Sequence, residues 1–321
     1  MSWFIFALIC TLAWGFADLF YKKSSDTEDK QSHLKIAVWV GMVMGICAFC
    51  LIPISESSMG FSSIINNAIK YSPASLCYII SMVIGYAGLR YLELSIASPV
   101  QNSSGALSAI FMIIYFVAVG KISNIWEEFS ALDIIGTVII VIGVIGMAVI
   151  EQRLSKQQPL DKSNKKYHYG ALALLFPIAY CIFDTLGTSA DGIILDEETG
   201  LGLGEIDVIV LYGLTFMLAV LFIWIYMLIK NKKPYNPFKV SEIKTKGVAA
   251  LFEQCGQVFY VYAMAKNPVL AAPMVASYCI VSVILSRIFL KEKLKASLYV
   301  CVFTVITGIV ILGISEGLAE M

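Results

Sequence analysis

Ile96-Ala97-Ser98-Pro99-Val100 and Leu270-Ala271-Ala272-Pro273-Met274 are two versions of one junction, with their prolines 174 residues apart. Each follows an apolar stretch carrying a tyrosine 13 residues before the proline, Tyr86 in one case and Tyr260 in the other. Each then opens another apolar stretch and leads through an acidic turn to a last, glycine-containing one. The chain therefore reads as one plan written twice: residues 1–155 make a first unit, 156–166 a polar linker and 167–321 a second unit.

Apolar residues make up 59% of the chain and charged residues 14%, against roughly half and a quarter in an ordinary soluble protein. Such a chain belongs in a lipid bilayer. About 20 mostly apolar residues cross the hydrocarbon core as a helix, and suitable runs fall near 3–21, 34–54, 74–92, 97–119, 131–150, 169–190, 207–229, 247–265, 268–289 and 296–315. These predict an all-α integral membrane protein of ten transmembrane helices. A barrel would show alternating ten-residue segments, which runs such as 134–150 do not. The first run lacks a basic start and a small-residue cleavage site, so it reads as a mature span and not a signal peptide. Phe61, Ile64, Ile65, Ala68 and Ile69 are spaced for one face of a short interfacial helix over 56–72.

Basic residues are unevenly placed. Nineteen Lys or Arg lie in or at the edges of the connections after runs 1, 3, 5, 7 and 9, and three in those after runs 2, 4, 6 and 8. The positive-inside rule puts the Lys-rich side in the cytoplasm and both termini outside, in the cell membrane. Five spans per unit is an odd number, so the second unit enters the membrane upside down relative to the first. The result is two inverted five-helix repeats, a recurring plan of secondary transporters.

The formal net charge is zero and no basic face is present, which excludes nucleic acid as a partner. All eight cysteines fall in apolar runs, where they serve as small apolar residues, so no metal, redox group or other cofactor is expected. Gly41 with Gly45 in run 2, and Gly136 with Gly143 in run 5, make small-residue faces for close helix contact, the latter toward run 10 or toward the second protomer of a homodimer.

The Trp14-Gly15 pair, the Ser98-Pro99 and Ala272-Pro273 openings, the Leu290-Lys291-Glu292-Lys293-Leu294 turn and the last run around Gly308 resemble the EamA-like branch of the drug/metabolite transporter superfamily. The resemblance covers nearly the whole chain and rests on the order of the motifs. Glu127 precedes run 5 as Glu292 precedes run 10, and Glu151 and Glu316 close them, both pairs 165 residues apart. It implies a central cavity lined mainly by spans 1, 3, 4, 6, 8 and 9, with spans 5 and 10 as scaffold. Many members of the family have cytoplasmic termini, opposite to the side that the Lys and Arg count assigns here. The first-half turn, Trp126-Glu127-Glu128-Phe129, lacks the basic flank of its counterpart.

Ionisable residues inside spans cost about 2.5–3.5 kcal/mol at a helix centre on insertion scales, which makes them functional candidates. Asp18 and Asp184 occupy matching places in runs 1 and 6. Asp18 stands four residues from Lys22, a helical pairing distance, whereas Asp184 lies about 10 Å of helical rise from the nearer end of its run. Glu253, Gln257 and Tyr260 form an i, i+4, i+7 polar stripe on run 8, suited to a pathway or to interhelical hydrogen bonds. Burial disfavours the charged form of a carboxylate, so Asp184 or Glu253 would exchange protons if desolvated.

Pro99 and Pro273 read as helix-start prolines, with free N–H groups beyond Pro99 at Gln101, Asn102, Ser103 and Ser104 ready for a polar or anionic group. Trp14, Tyr86, Tyr180, Tyr260, Tyr262 and Tyr278 are placed to line a cavity for an amphipathic or cationic small-molecule substrate, though aromatic residues in spans also serve as core or interfacial anchors. The reading is a carrier that works by alternating access, with the bilayer, a small molecule and protons as partners. The rivals are a non-transporting subunit or receptor and an intramembrane enzyme. No His-Glu-x-x-His, Gly-x-Ser-x-Gly or nucleotide-binding loop supports an enzyme or an ATP-driven pump.

Overall fold

Long apolar segments in a medium without water must satisfy every backbone group internally, and this chain does so with helices. The computed structural model describes residues 2–26, 28–55, 60–157, 170–201, 203–292 and 296–319, with helix as the only regular structure among them. The α-helices are α1 (Trp3–Ser24), α2 (Ser32–Leu51), α3 (Phe61–Gly88), α4 (Leu94–Asn102), α5 (Ser104–Ala118), the single turn α6 (Ile125–Glu128) and α7 (Ala131–Gln157) in the first half. The second half supplies α8 (Leu175–Ile194), α9 (Glu205–Asn231), the turn α10 (Val240–Glu242), α11 (Val248–Lys266), α12 (Pro268–Ala276), α13 (Tyr278–Leu285) and α14 (Ala296–Ala319).

Nine helical segments among the described residues are long and apolar enough to cross a membrane. The expected run at 247–265 is helical as α11 but is not one of the nine. Glu253, Gln254 and Gln257 dilute its apolar character, and all three are buried. Residues 158–169, which hold most of the polar linker, lie outside the described residues, as do Lys293, Leu294 and the side chain of Glu151.

Three sequence expectations change. Residues 61–72 do not form a separate interfacial helix, because α3 runs unbroken through Pro73. A proline leaves the carbonyl four residues back without its N–H partner; here the Ser72 hydroxyl donates to that carbonyl, of Ile69, at 2.8 Å. Pro99 and Pro273 are not at helix starts but inside α4 and α12. The α4 start is set instead by the Glu292 carboxylate, which accepts from the backbone N–H groups of Leu94 (3.1 Å) and Ser95 (3.0 Å). The α12 start is set by Pro268 at its first position and by Asn267 Oδ1, which accepts from Leu270 N at 3.2 Å. Because α4 is already under way at Leu94, Gln101 and Asn102 lie in its last turn and offer no free helix-start N–H groups.

Each of these segments is interrupted four residues after its internal proline. A turn at Ser103 (φ −60°, ψ −15°) separates α4 from α5, and one at Ser277 (φ −66°, ψ −4°) separates α12 from α13. The closest helix partners are α1 with α11, α3 with α8, α2 with α9, α5 with α12, and α7 with α14. Gly136 and Gly143 face α14, at Leu312 and Val305, so that stripe is filled within the chain. Gly41 and Gly45 admit Val220 and Met217 of α9. The segment Pro268–Leu290 is the most enclosed, 89% of its apolar window being buried, whereas α7, α9 and α14 turn large apolar side chains such as Ile142, Phe222 and Phe303 outward.

The tightest approach between the two broken segments is at Gly105. A Cβ there would stand 2.6 Å from the Ala272 carbonyl oxygen and 2.3 Å from Ala276 Cβ, so backbone would have to move. Gly105→Ala is expected to cost about 1–3 kcal/mol through overpacking, while Gly317→Ala, with nothing within 4 Å of the new atom, is expected to cost nothing. Thermal unfolding in detergent checks both, and equal midpoints would contradict the close packing of α5 on α12.

Candidate functional site

One cavity lies between the halves. Its walls come from α1, α3, α4, α5, α8, α11, α12 and α13, with Tyr212 added from α9. Twelve of the residues singled out from the sequence line it: Trp14, Asp18, Tyr86, Gln101, Asn102, Ser104, Tyr180, Asp184, Glu253, Gln257, Tyr260 and Tyr278. Ser103 does not. Its hydroxyl donates back to the Pro99 carbonyl at 3.1 Å, and Ser104, one position on, takes the place in the wall.

The three carboxylates are held by hydroxyl donors. Asp18 Oδ2 accepts from Ser98 of α4 and Ser282 of α13, both at 2.7 Å. Asp184 Oδ2 accepts from Ser104 of α5 at 2.6 Å, and Glu253 Oε2 from the Tyr21 hydroxyl at 3.0 Å. No Lys, Arg or His is among the described lining residues. Lys22, the helical neighbour of Asp18, donates to the carbonyls of Leu89 and Leu92. The ion pairs found among the described residues, Lys35 with Asp29, Lys121 with Asp196 and Lys246 with Glu242, all lie away from the cavity.

Aromatic rings fill much of the remaining wall. Trp14 lies 5.2 Å from Tyr260 and 5.7 Å from Tyr278 between ring centroids, and Tyr21 lies 4.6 Å from Tyr86. Two glycines make this possible. A Cβ on Gly256 would sit 2.2 Å from the Trp14 ring, and one on Gly85 would sit 2.7 Å from the Tyr180 ring. The side-chain nitrogens of Gln101 and Gln257, both lining the cavity and both 4% exposed, have no hydrogen-bond partner. Buried amide N–H groups left unpaired cost about 1–3 kcal/mol each, so they call for an acceptor.

Sequence reasoning missed Tyr21, Tyr78, Tyr212 and Thr188 in the wall. Tyr21 was legible as the i+3 neighbour of Asp18, and Thr188 as the i+4 neighbour of Asp184. Tyr78 and Tyr212 carry no local signal, since their role depends on packing. Tyr78 bonds to Thr188 at 3.1 Å and to the Tyr260 hydroxyl.

The family model of the EamA-like transporter family matches residues 199–314, which hold α9 to α13 and most of α14. A solved crystal structure of a protein matches with a TM-score of 0.61 at 14% sequence identity, covering 98% of both chains, and so shares the fold. No curated protein matches the chain.

Outside the membrane spans, Lys121 meets Asp196. Burial pushes the Asp196 carboxyl up, but hydrogen bonds from Lys121 and from the backbone and hydroxyl of Thr199 outweigh it and hold the group below its ordinary 3.8. A carboxyl with a lowered folded-state value stabilises the fold above its unfolded value and loses that contribution as pH falls through the folded one. Lys121→Met should therefore unfold at a lower temperature than wild type near neutral pH, with the gap closing below about pH 3.8. Thermal unfolding across that range checks it, and a gap that stays constant would contradict the assignment.

Proposed function

Taking membership of the EamA-like transporter family as the premise, which the match over residues 199–314 supports, we propose that the protein is a secondary carrier moving a small organic solute through the central cavity by alternating access. The observation that carries this reading is the wall itself. Asp18, Asp184 and Glu253 face one enclosed space between the halves, each bonded to hydroxyls and none accompanied there by a base.

The architecture proposed is ten spanning helices in two inverted repeats, with α11 as the tenth. Exchanging the halves turns the α1–α11 pair into the α8–α3 pair and the α5–α12 pair into the α13–α4 pair, and leaves the α2–α9 and α7–α14 pairs in place. The interruptions at Ser103 and Ser277, separated like Pro99 and Pro273, support the same relation. A pseudo-two-fold axis through the cavity lets one half rock against the other and expose the site to either side. The Lys and Arg count assigns the Lys-rich loops to the cytoplasm, in the cell membrane.

The wall chemistry favours a cargo with a positive charge, an aromatic or apolar body and a hydrogen-bond acceptor. A buried carboxylate without a counter-ion costs several kcal/mol, so these groups take either a proton or a cationic cargo. Rings such as Trp14 and Tyr278 add attraction for a cation of about 0.5–2 kcal/mol. The amide nitrogens of Gln101 and Gln257 await the acceptor. Cargo and protons then compete for the same carboxylates, and that competition couples their movements in opposite directions.

Screening the purified protein by thermal stability against aromatic amines, quaternary amines, amino acids, sugars and nucleosides tests the cargo class. A ligand at 100 times its Kd stabilises the fold by about 2.7 kcal/mol. Amines are expected to raise the midpoint, and Asp184→Asn together with Glu253→Gln to abolish the rise. Stabilisation by neutral sugars alone, or an undiminished amine response in the double variant, would sink the assignment.

A further inference from the structure

Asp191 is a buried carboxylate that the cavity wall does not include. It lies on α8 seven residues after Asp184 and three after Thr188, so the three side chains stand on one face of that helix. It is fully buried. Its Oδ1 accepts from the Tyr71 hydroxyl of α3 at 2.8 Å, and its Oδ2 has no partner at hydrogen-bond distance among the described residues, the Tyr78 and Tyr260 hydroxyls being the next donors in reach. Tyr71 is fully buried too.

The groups facing Asp191 have been placed from every side. From α3 come the hydroxyls of Tyr71 and Tyr78, and from α11 that of Tyr260. Its own helix brings Asp184, and α9 brings Tyr212 beside Tyr71. The nearest ion pair beyond it, Lys121 with Asp196, is complete in itself. Because Tyr78, Tyr260 and Thr188 line the cavity while also bonding to one another, a single layer of hydroxyls separates Asp191 from the cavity. On the other side, α8 ends three residues later in the acidic connection holding Asp196, Glu197 and Glu198.

We propose that Asp191 is a second proton station, which exchanges protons with Asp184 through the Tyr78, Tyr260 and Thr188 hydroxyls, with Tyr71 shutting it from solvent. The inference rests on the reading of the cavity as a proton-exchanging cargo site. A buried carboxyl needs a proton or a counter-ion, and the free Oδ2 is the atom that carries the proton. Each hop leaves one hydroxyl or carboxyl O–H broken and one formed, so no other reactant is required. The station belongs to one half only. In the first half Asp18 is followed at the same spacings by Lys22 and Ser25, neither of which is a carboxyl.

Infrared difference spectroscopy on the protein in liposomes, with pH steps and deuterium exchange, reads the carboxylic acid C=O stretch without any cargo. Wild type is expected to show a pH-responsive band that Asp191→Asn removes and Asp191→Glu restores in shifted form. Tyr71→Phe, which deletes the donor to Oδ1, should shift that band and speed its deuterium exchange. A difference spectrum in Asp191→Asn identical to the wild type's would overturn the proposal, and so would a band that responds to sodium and not to pH. Size-exclusion profiles and thermal midpoints show whether each variant is folded, and the Tyr71→Phe spectrum decides the question should Asp191→Asn not fold. A wild type that binds no amine yet shows the band would remove the cargo reading and keep the station.

Discussion

A carboxylate placed inside a hydrocarbon slab has to be solvated by the protein, and this requirement organises the centre of the molecule. Asp18, Asp184 and Glu253 sit where two halves of the chain meet, and serines and a tyrosine do the work that water does elsewhere. The donors to Asp18 come from α4 and α13, those to Asp184 from α5, and that to Glu253 from α1. Each carboxylate thereby ties its own helix to a broken segment or to the opposite half. A movement that separates the halves must break or remake these bonds, so the charge state of the site and the arrangement of the helices depend on one another.

Packing around the centre serves the same end. Glycines let helices close on one another where backbone meets backbone, as at Gly105 against Ala272, and let rings lie flat across neighbouring helices, as at Gly256 beneath Trp14. Pro73, Pro99 and Pro273 lie within helices and not at their ends, and a side-chain hydroxyl takes over the carbonyl that Pro73 strands. The peripheral helices α7 and α14 pair through glycines of their own and contribute nothing to the cavity wall.

Much of this was legible in the amino-acid order. The apolar runs, the repeated junction and three acids in otherwise apolar stretches stand out because each is expensive in lipid unless something requires it. The helix starts were not legible. The start of α4 depends on Glu292, 198 residues away, and no local pattern contains that carboxylate. Asp191 did not stand out because the apolar run ends at residue 190, just before it, whereas Tyr71 from α3 closes over it. The roles of Ser98 and Ser282 were equally hidden, since small hydroxyls occur throughout membrane helices and only contact reveals which ones face an acid, and Ser104 stood out for its backbone N–H and not for its hydroxyl. Ser103 and Ser104 are adjacent in sequence, yet one bonds to its own backbone and the other to Asp184.

In the proposed carrier, cargo and protons contend for one set of buried carboxylates. Flux of trimethylphenylammonium, a small aromatic cation with a fixed charge, across liposomes containing the purified protein measures this directly, with an imposed pH gradient and a trapped pH-sensitive dye. The account predicts that the pH gradient drives the cation across the membrane, and that a cation gradient alone moves protons the opposite way. Flux of the cation that ignores the pH gradient and displaces no protons would contradict it.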